Sequence, residues 1–241
     1  MTALLQLDGV SKRFRGLVAV DRVGFAVPRG EIFAVIGPNG AGKTTLFNMI
    51  AGAMAPDGGS IVFAGEPIEG LPAHAVCRRG IARTFQIVRP FPGLSAEDNV
   101  MIGALQRHRD VEMARTQTRT LLQQLDLLDK RHRLAATLTL PDRKRLEVAR
   151  ALATEPELLL LDEVMAGLRP TETDRMVAIM RSLNRERGLT ILLIEHVMRA
   201  VMALASQVVV LHHGTAIAAG KPESVVRDPL VVKSYLGAER A

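Results

Sequence analysis

One nine-residue loop, GPNGAGKTT, constrains this chain more than any other feature. It follows the apolar run EIFAVIG, which is typical of a buried strand, and it opens a segment with helical spacing that stops at Gly52. Glycines allow backbone N–H groups to curl around phosphates, and the N-terminus of the following helix favours negative charge. The match to G-x-x-x-x-G-K-[ST], between a strand and a helix, predicts a phosphate-binding loop.

We expect this loop, residues 37–45 and here called the nucleotide loop, to surround the phosphates of a nucleoside triphosphate. Lys43 is placed to reach the β- and γ-phosphates, and Thr44 is placed to bind Mg²⁺. A glycine-rich turn with a chance lysine is the alternative, and the order of strand, loop and helix argues against it. The predicted nucleotide-binding residues are Gly37, Pro38, Asn39, Gly40, Ala41, Gly42, Lys43, Thr44 and Thr45.

A second apolar run, LLLLDE, leads to two carboxylates at Asp162 and Glu163. A carboxylate at the end of a buried strand can hold Mg²⁺ directly or through water. The next residue, Glu163, could polarise the attacking water as a general base. Acidic residues at strand ends are often only caps, but a long insertion between the two motifs favours a nucleotide-hydrolysing site.

The order of the remaining segments predicts an α/β fold with a mostly parallel core sheet. Buried runs such as ELLLLDEV and TILLIEH alternate with helical segments such as ETDRMVAIMRSLNRERG, which closes at Gly188. QVVVLHHGTAIAAG predicts a hairpin around His213 and Gly214. From about Ser95 to Leu128 the pattern becomes helical, so the block near 89–152 predicts a helical insertion.

Composition narrows the function classes. The net charge of +6 raises the expectation of nucleic acid, nucleotide or an acidic surface as partner. The content of only 3% aromatic residues argues against a protein that binds single-stranded nucleic acid by stacking its bases on exposed rings.

A single cysteine, Cys77, excludes an internal disulfide and a cysteine-based metal site. No secretory signal is visible, and the apolar stretch 200–211 is too short to span a bilayer. These features predict a cytoplasmic protein that meets a membrane only through a partner.

Several further segments resemble the ATP-binding subunits of ABC transporters over nearly the whole chain. They are GIARTFQ, LEVARALATEPELLLLDE and TILLIEHVMRA. The resemblance implies that Phe14 stacks on adenine, that Gln86 meets Mg²⁺ and water, and that Glu163 is catalytic. It also implies that His196 contacts the γ-phosphate and that Thr44, Gln86 and Asp162 hold the metal. Taken alone, Phe14 could be a core ring and His196 a structural histidine.

A finer resemblance is to the branched-chain amino-acid importers, and in particular to the member of their ATPase pair that carries RTFQ. It is carried by GLVAVDRVGFAV, FNMIAG, GIARTFQIVRPFPGLSAEDNV, LDEVMAGLRPTET and VVKSYLG. It implies one ABC ATPase domain over 1–241, with its core at 1–88 and 153–241, an antiparallel β subdomain and an inserted helical subdomain at about 89–152. It also implies a second ATPase subunit, membrane permease subunits, an indirect link to a substrate-binding protein, and a place at the cytoplasmic face of the membrane.

The family's signature loop, of the form L-S-G-G-Q, falls on a departing sequence here. The aligned residues are Leu138, Thr139, Leu140, Pro141 and Asp142. Proline has no N–H to offer a phosphate, and the aspartate brings a negative charge where a neutral amide would help. In the family, each ATP lies between one subunit's nucleotide loop and the other's signature loop. The departure predicts an asymmetric heterodimer, although Thr139, the remaining N–H groups and the helix dipole could still suffice. Val164 and Arg169 also depart from the family pattern.

Other functions remain open at this point. Importers for urea or short amides share the same sequence features, and a soluble ABC ATPase of translation or DNA repair is a further alternative. With one predicted ATPase domain in its 241 residues, the sequence is not expected to carry the tandem domains or long arms of such proteins. Its basic residues, including Arg78, Arg79, Arg143, Lys144 and Arg145, are scattered as on a solvated face, so no nucleic acid is expected.

Overall fold

A computed structural model describes residues 3–236 of the chain, and its strands form two sheets. A four-stranded sheet has the order β2-β1-β4-β5, and a six-stranded sheet has the order β10-β9-β3-β8-β7-β6. The strands are β1 Ala3–Phe14, β2 Leu17–Pro28, β3 Ile32–Ile36, β4 Gly58–Phe63, β5 Glu66–Pro67, β6 Ile81–Arg83, β7 Leu158–Asp162, β8 Thr190–Ile194, β9 Gln207–His212 and β10 Thr215–Gly220.

Helices lie in several of the connections between these strands, and two more follow the last strand. The α-helices are α1 Lys43–Ile50, α2 Ala73–Arg78, α3 Ala96–Ala104, α4 Val111–Gln124, α5 Leu140–Leu152, α6 Pro170–Arg187, α7 Met198–Leu204, α8 Pro222–Val225 and α9 Pro229–Leu236. Two short 3₁₀ helices, Leu128–Lys130 and Ala135–Thr137, lie between α4 and α5. The predicted helix after the nucleotide loop ends at Ile50, and Gly52 follows in a left-handed conformation with φ 70°.

The six-stranded sheet is parallel except at one edge, as predicted. Strands β3, β6, β7, β8 and β9 pair in parallel, and β10 pairs antiparallel with β9 across the His213–Gly214 turn. Successive residues of β7 point to opposite faces, so Leu159 and Leu161 enter one apolar core while Leu158 and Leu160 enter another. Since both faces are covered, these strands are apolar throughout.

The two sheets meet beside the nucleotide loop. The antiparallel sheet, α1 and one face of the parallel sheet share one core, and the helices α3 to α7 cover the opposite face. The turn of the β9–β10 hairpin lies between the sheets: the Gly214 N–H donates to the carbonyl of Ala41, and its carbonyl accepts from the Asp21 N–H. The fold therefore ties the nucleotide loop to both sheets.

The helical block between β6 and β7 contains α3, α4 and α5. The prediction of helix from Ser95 to Leu128 is correct for α3 and α4, with a break between them. The predicted solvated face of scattered basic residues is wrong for Lys144 and Arg145, which are buried because α5 is covered on several sides. In the part of the chain that the structure describes, no helix is both long and apolar enough to cross a membrane.

Candidate functional site

The nucleotide loop runs from the end of β3 into α1 through conformations that glycine alone adopts easily. Gly37 has φ 148° and Gly42 has φ 98°. A Cβ atom on Gly37 would lie 2.1 Å from the carbonyl oxygen of Leu211, and one on Gly42 would lie 2.3 Å from that of Ala19. Backbone packing, and not only the turn itself, therefore requires glycine at both positions.

Helix α1 begins at Gly42 without a side-chain cap. Its first turn contains no acidic residue, so the N–H groups at its start have no carboxylate competing for them. Lys43 is buried, and its Nζ donates to the carbonyls of Gly37 and Pro38 at 2.7 and 2.9 Å. Burial lowers the pKa of Lys43, while the nearby Glu163 and Asp162 act in the opposite direction. The positive charge of Lys43 and the N–H groups at the start of α1 therefore lie together at the end of this loop.

An open cavity of about 450 Å³ lies over this loop. It contains most of the predicted site: loop residues 39–45, Phe14, Gln86 and Glu163. The Phe14 ring is exposed, so it is not a core residue. His213, from the β9–β10 turn, also lines the cavity and had no signal in the sequence beyond its place in a hairpin. The cavity has the size of a small-molecule site.

Asp162 ends β7 in a buried polar setting. Its carboxylate is 1% exposed; one oxygen, Oδ2, accepts from Arg83 Nη2 at 2.8 Å, and Oδ1 has no hydrogen-bond partner. Arg83 also bonds Asn48 of α1, so it links β6, β7 and α1. Nothing in the sequence indicates the role of Arg83. It is far from Asp162 in sequence, and only the parallel pairing of β6 with β7 brings the two residues together.

Glu163 follows immediately in an unusual backbone conformation. Its φ is 49°, a region that costs a non-glycine residue about 1–3 kcal/mol. Both of its backbone groups are bonded: the N–H donates to the Ile194 carbonyl, and the carbonyl accepts from Lys144 Nζ at 3.0 Å. Its Oε2 accepts from Gln86 Nε2 at 2.7 Å. The structure thus brings the predicted glutamine and glutamate into direct contact.

His196 follows the end of β8 and so lies at the same carboxyl-terminal edge of the parallel sheet as Glu163. Its ring is 55% exposed, and Nδ1 is 3.8 Å from Glu163 Oε2. The preceding residue, Glu195, is buried and accepts from the Met165 N–H, and burial raises its pKa despite that bond and the nearby His196 and Lys144 charges. His196 is not among the residues that line the cavity over the nucleotide loop, but its exposed ring lies beside Glu163, which does line it. Glu195 fixes the segment after Glu163 through the Met165 N–H.

The structure brings the proposed metal residues to one end of the parallel sheet. In residues 3–236, no group of three or more His, Cys, Asp or Glu side chains is arranged to hold a metal ion. The predicted set differs in kind, since it combines one carboxylate with the Thr44 hydroxyl and the Gln86 amide. Both of these line the cavity. Oxygen donors of this mixture suit Mg²⁺, which keeps several water ligands.

The sequence Leu138–Asp142, here called the signature turn, is the start of α5 and not a separate loop. Thr139 is the N-cap, its Oγ1 accepts from the Asp142 N–H, and it donates to Asp142 Oδ2 at 2.9 Å. Asp142 is 2% exposed and is paired with Lys130 at 2.9 Å and with Arg145. The negative charge that the sequence places at Asp142 is therefore buried, and the charges of Lys130 and Arg145 offset it.

Comparison with known proteins agrees with this geometry. A family model described as ABC transporter matches residues 20–166. The chain is 40% identical to the high-affinity branched-chain amino acid transport ATP-binding protein BraF of Pseudomonas aeruginosa, over 97% of this chain and 98% of that protein. It is 38% identical to LivG of Escherichia coli, whose description is otherwise the same, with 97% and 98% covered.

Solved structures agree as well. The ADP conformation of MJ1267, an ATP-binding cassette of an ABC transporter, superposes with a TM-score of 0.90 at 29% identity, covering 98% of this chain and all of that one. The predicted fold class is therefore confirmed. The chain belongs to the ATP-hydrolysing subunits of the ABC transporter family.

Proposed function

We propose that this chain hydrolyses Mg²⁺-ATP as one of two unlike ATPase subunits in an importer for branched-chain or related amino acids. The observation that carries the proposal is the cavity in which the nucleotide loop, Gln86 and Glu163 meet. The cargo class rests on the likeness to BraF and LivG over nearly the full length of each chain.

Within the site, each residue has a proposed role. The exposed Phe14 ring stacks on adenine, and the loop amides with Lys43 bind the β- and γ-phosphates. Glu163 polarises the attacking water as a general base, and Gln86 orients its carboxylate through their hydrogen bond. His196 contacts the γ-phosphate through its exposed ring.

The residues present fit a magnesium ion. Asp162 Oδ1 is a buried oxygen without a hydrogen-bond partner, which is costly unless it takes part in a contact of another kind. Asp162, the Thr44 hydroxyl and the Gln86 side-chain oxygen would hold Mg²⁺. When bound, the ion neutralises charge on the β- and γ-phosphates.

The heterodimer is proposed from the signature turn. In the family's head-to-tail pair, this turn would face ATP on the partner's nucleotide loop. Thr139 and Asp142 already use each other's polar groups, and Pro141 has no N–H. Arg169 replaces the usual aspartate of the loop that communicates across the dimer, and its N–H is bonded to Glu172 of its own helix. ATP on the partner would therefore turn over slowly, and ATP on this chain quickly.

The membrane partner is proposed to dock on the segment from Gln86 to Asn99. Ile87, Phe91 and Leu94 are exposed in this segment, as is the adjacent Phe85, and a mainly apolar cavity of about 360 Å³ lies beside them. Such a surface suits the short coupling helix of a permease. Residues 89–152 would then move as the helical subdomain, and the chain would lie peripherally on the cytoplasmic face, with a substrate-binding protein acting on the other side.

The asymmetry is tested in the assembled complex. We expect Glu163→Gln in this chain to lower ATP turnover by roughly 100-fold or more, since a general base contributes at least that much. The equivalent change in the partner should have a small effect. Equal losses from both changes would show that the signature turn supports hydrolysis and that the pair is symmetric.

The cargo is tested by transport into vesicles that contain the complex and its binding protein. ATP-dependent uptake of leucine, isoleucine or valine is expected, with urea and acetamide as competitors in parallel assays. Uptake of urea or the amide alone would replace the amino-acid assignment. Salt-sensitive binding of the chain to DNA or RNA would instead support the soluble ABC ATPase.

A further inference from the structure

Two buried charged side chains on α5, Lys144 and Glu147, are not explained by the site described above. Their residues are 4% and 5% exposed. They are three positions apart and therefore lie on neighbouring parts of one helix face. Burying a charge is costly unless it is paired or hydrogen-bonded, so the contacts of each side chain indicate what it contributes.

Glu147 contacts the backbone on both sides of Gln86. One carboxylate oxygen accepts from the Phe85 N–H at 2.6 Å, and the other accepts from the Arg89 N–H at 3.1 Å. One turn further along α5, Arg150 donates to the Arg89 carbonyl at 2.7 Å. The helix thus fixes the chain directly before and shortly after the glutamine.

Lys144 contacts the other member of the pair. Its Nζ donates to the carbonyl of Glu163, whose backbone has the positive φ described above. Because Gln86 donates to Glu163 at 2.7 Å, both partners of that hydrogen bond are held by neighbouring turns of one helix. The strained backbone of Glu163 needs such support from its surroundings.

The ionisation of both groups is consistent with these contacts. Burial raises the pKa of Glu147, and the N–H bonds from Phe85 and Arg89 oppose that rise by favouring the anion. Burial lowers the pKa of Lys144, and the carboxylates of Glu195, Glu147 and Glu163 oppose it.

We propose that Lys144 and Glu147 are positioning residues that hold Gln86 and Glu163 of their own subunit in the arrangement needed for hydrolysis. Helix α5 then serves two sites: its first turn faces the partner's nucleotide, and its middle turns support this chain's own catalytic pair. The proposal rests on the roles proposed above for Gln86 and Glu163. It explains why a subunit with an altered signature turn keeps the rest of that helix.

The test uses the complex purified through a tag on this chain, with ATP as the substrate. Glu147→Gln keeps the shape of the side chain but replaces one acceptor oxygen by an amide that cannot accept an N–H bond. We expect kcat to fall roughly 10- to 100-fold, the range for a small misplacement of catalytic groups, with the Kd for ATP unchanged within about twofold. Lys144→Met, which keeps the apolar stem, should behave in the same way.

Thr190 provides a matched control. Like Glu147, it is a buried side chain whose oxygen accepts a backbone N–H, that of Gly30 at 2.9 Å, but it lies at the start of β8 and its side chain has no hydrogen bond to Phe85, Gln86 or Glu163. Thr190→Val should lower thermal stability and leave kcat unchanged. Equal losses of kcat in Thr190→Val and Glu147→Gln would overturn the proposal in favour of general destabilisation.

A double-mutant cycle with Gln86→Ala separates this inference from the proposed function. If Glu147 acts through Gln86, the double variant is no slower than Gln86→Ala alone. A loss equal to the product of the two single effects, or a Glu147→Gln complex with normal kcat, would overturn the inference alone. Normal kcat in Gln86→Ala would overturn the role of Gln86 itself, and the inference with it.

Discussion

The starts of α1 and α5 are both helix N-termini, but they are capped differently and are used in opposite ways: the N-cap Gly42 is left-handed with φ 98°, whereas the N-cap Thr139 is extended with φ −66°. At α1, Gly42 provides no side-chain cap, and the first turn has no acidic residue. At α5, Thr139 caps the helix, Pro141 removes one N–H, and Asp142 occupies the first turn. A helix N-terminus attracts anions only while its N–H groups are free. The comparison shows that the N-cap residue and the side chains of the first turn decide whether the N–H groups at a helix start stay free for a ligand or bond within the protein.

Charge reinforces the difference. Beside α1, Lys43 bonds only to backbone carbonyls, so its positive charge is available to a phosphate. Beside α5, Lys130 and Arg145 are both committed to Asp142. The second helix start is therefore electrostatically self-contained, and its residues should contribute to stability where those of the first contribute to binding.

The largest expected effect is on stability, at Asp142. Asp142→Ala leaves Lys130 and the buried Arg145 without their carboxylate, which should lower the free energy of unfolding by about 3 kcal/mol. Urea denaturation of the purified chain measures this change. The affinity of this chain for ATP should stay within a few-fold of the original value. A selective loss of ATP affinity with normal stability would remove the contrast between the two helix starts.

The same residue predicts a pH dependence. Burial alone would raise the pKa of Asp142, but hydrogen bonds from Lys130 and Thr139, together with the charges of Lys130 and Arg145, hold it below its usual value. Its stabilising contribution is thus complete above the unfolded-state pKa of about 3.9 and is lost as the pH falls through the lower folded-state value. The stability difference between the wild type and Asp142→Asn should be constant from pH 8 to 5 and shrink only under more acidic conditions.

A smaller effect is expected at Gly42, and it concerns binding. Gly42→Ala places a Cβ against the Ala19 carbonyl and in an unfavourable φ region, so a cost of about 2 kcal/mol is expected, or roughly 30-fold in the Kd for ATP. Gly40→Ala is the matched control, since Gly40 has φ 77° but no atom within 4 Å of its Cβ position. Equal losses at both glycines would show that φ alone, and not the contact with Ala19, is responsible.

Thr139→Ala tests the self-capping of α5 more gently. Loss of an N-cap hydroxyl typically costs about 1 kcal/mol, and Thr139→Ser should restore it. Thermal unfolding of the three proteins measures the difference. If Thr139→Ala instead lowers ATP turnover of the complex without changing stability, the hydroxyl acts on the partner's nucleotide, and the signature turn is functional.

The smallest effect is expected at Phe14. An exposed ring that stacks on a base contributes about 0.5–1 kcal/mol, so Phe14→Ala should weaken ATP binding by roughly two- to fivefold. Titration with ATP, and with tripolyphosphate as a ligand that lacks the base, separates stacking from phosphate binding. Weakening that is equal for both ligands would exclude adenine as the contact.

The core of the site could be predicted from sequence because its determinants are local. The nucleotide loop and LLLLDE each follow an apolar run, and parallel strands bring the ends of such runs to one edge of the sheet. Arg83, Lys144 and Glu147 could not be predicted in this way. Their partners are distant in sequence, and the pattern RKRLEVAR has the charges of a solvated helix until neighbouring segments cover it.

The hairpin turn at Gly214 has a practical consequence for labelling the molecule. In sequence it looks like any surface turn, yet a Cβ at Gly214 would be 3.0 Å from the Ala19 carbonyl, and its N–H bonds the nucleotide loop. The turn at Gly65 has nothing within 4 Å of its Cβ position. A fluorophore or epitope inserted at Gly65 should leave the fold intact. The same insertion at Gly214 would disrupt the contacts that this turn makes with Ala19 and Ala41, so the labelled protein would no longer represent the native structure.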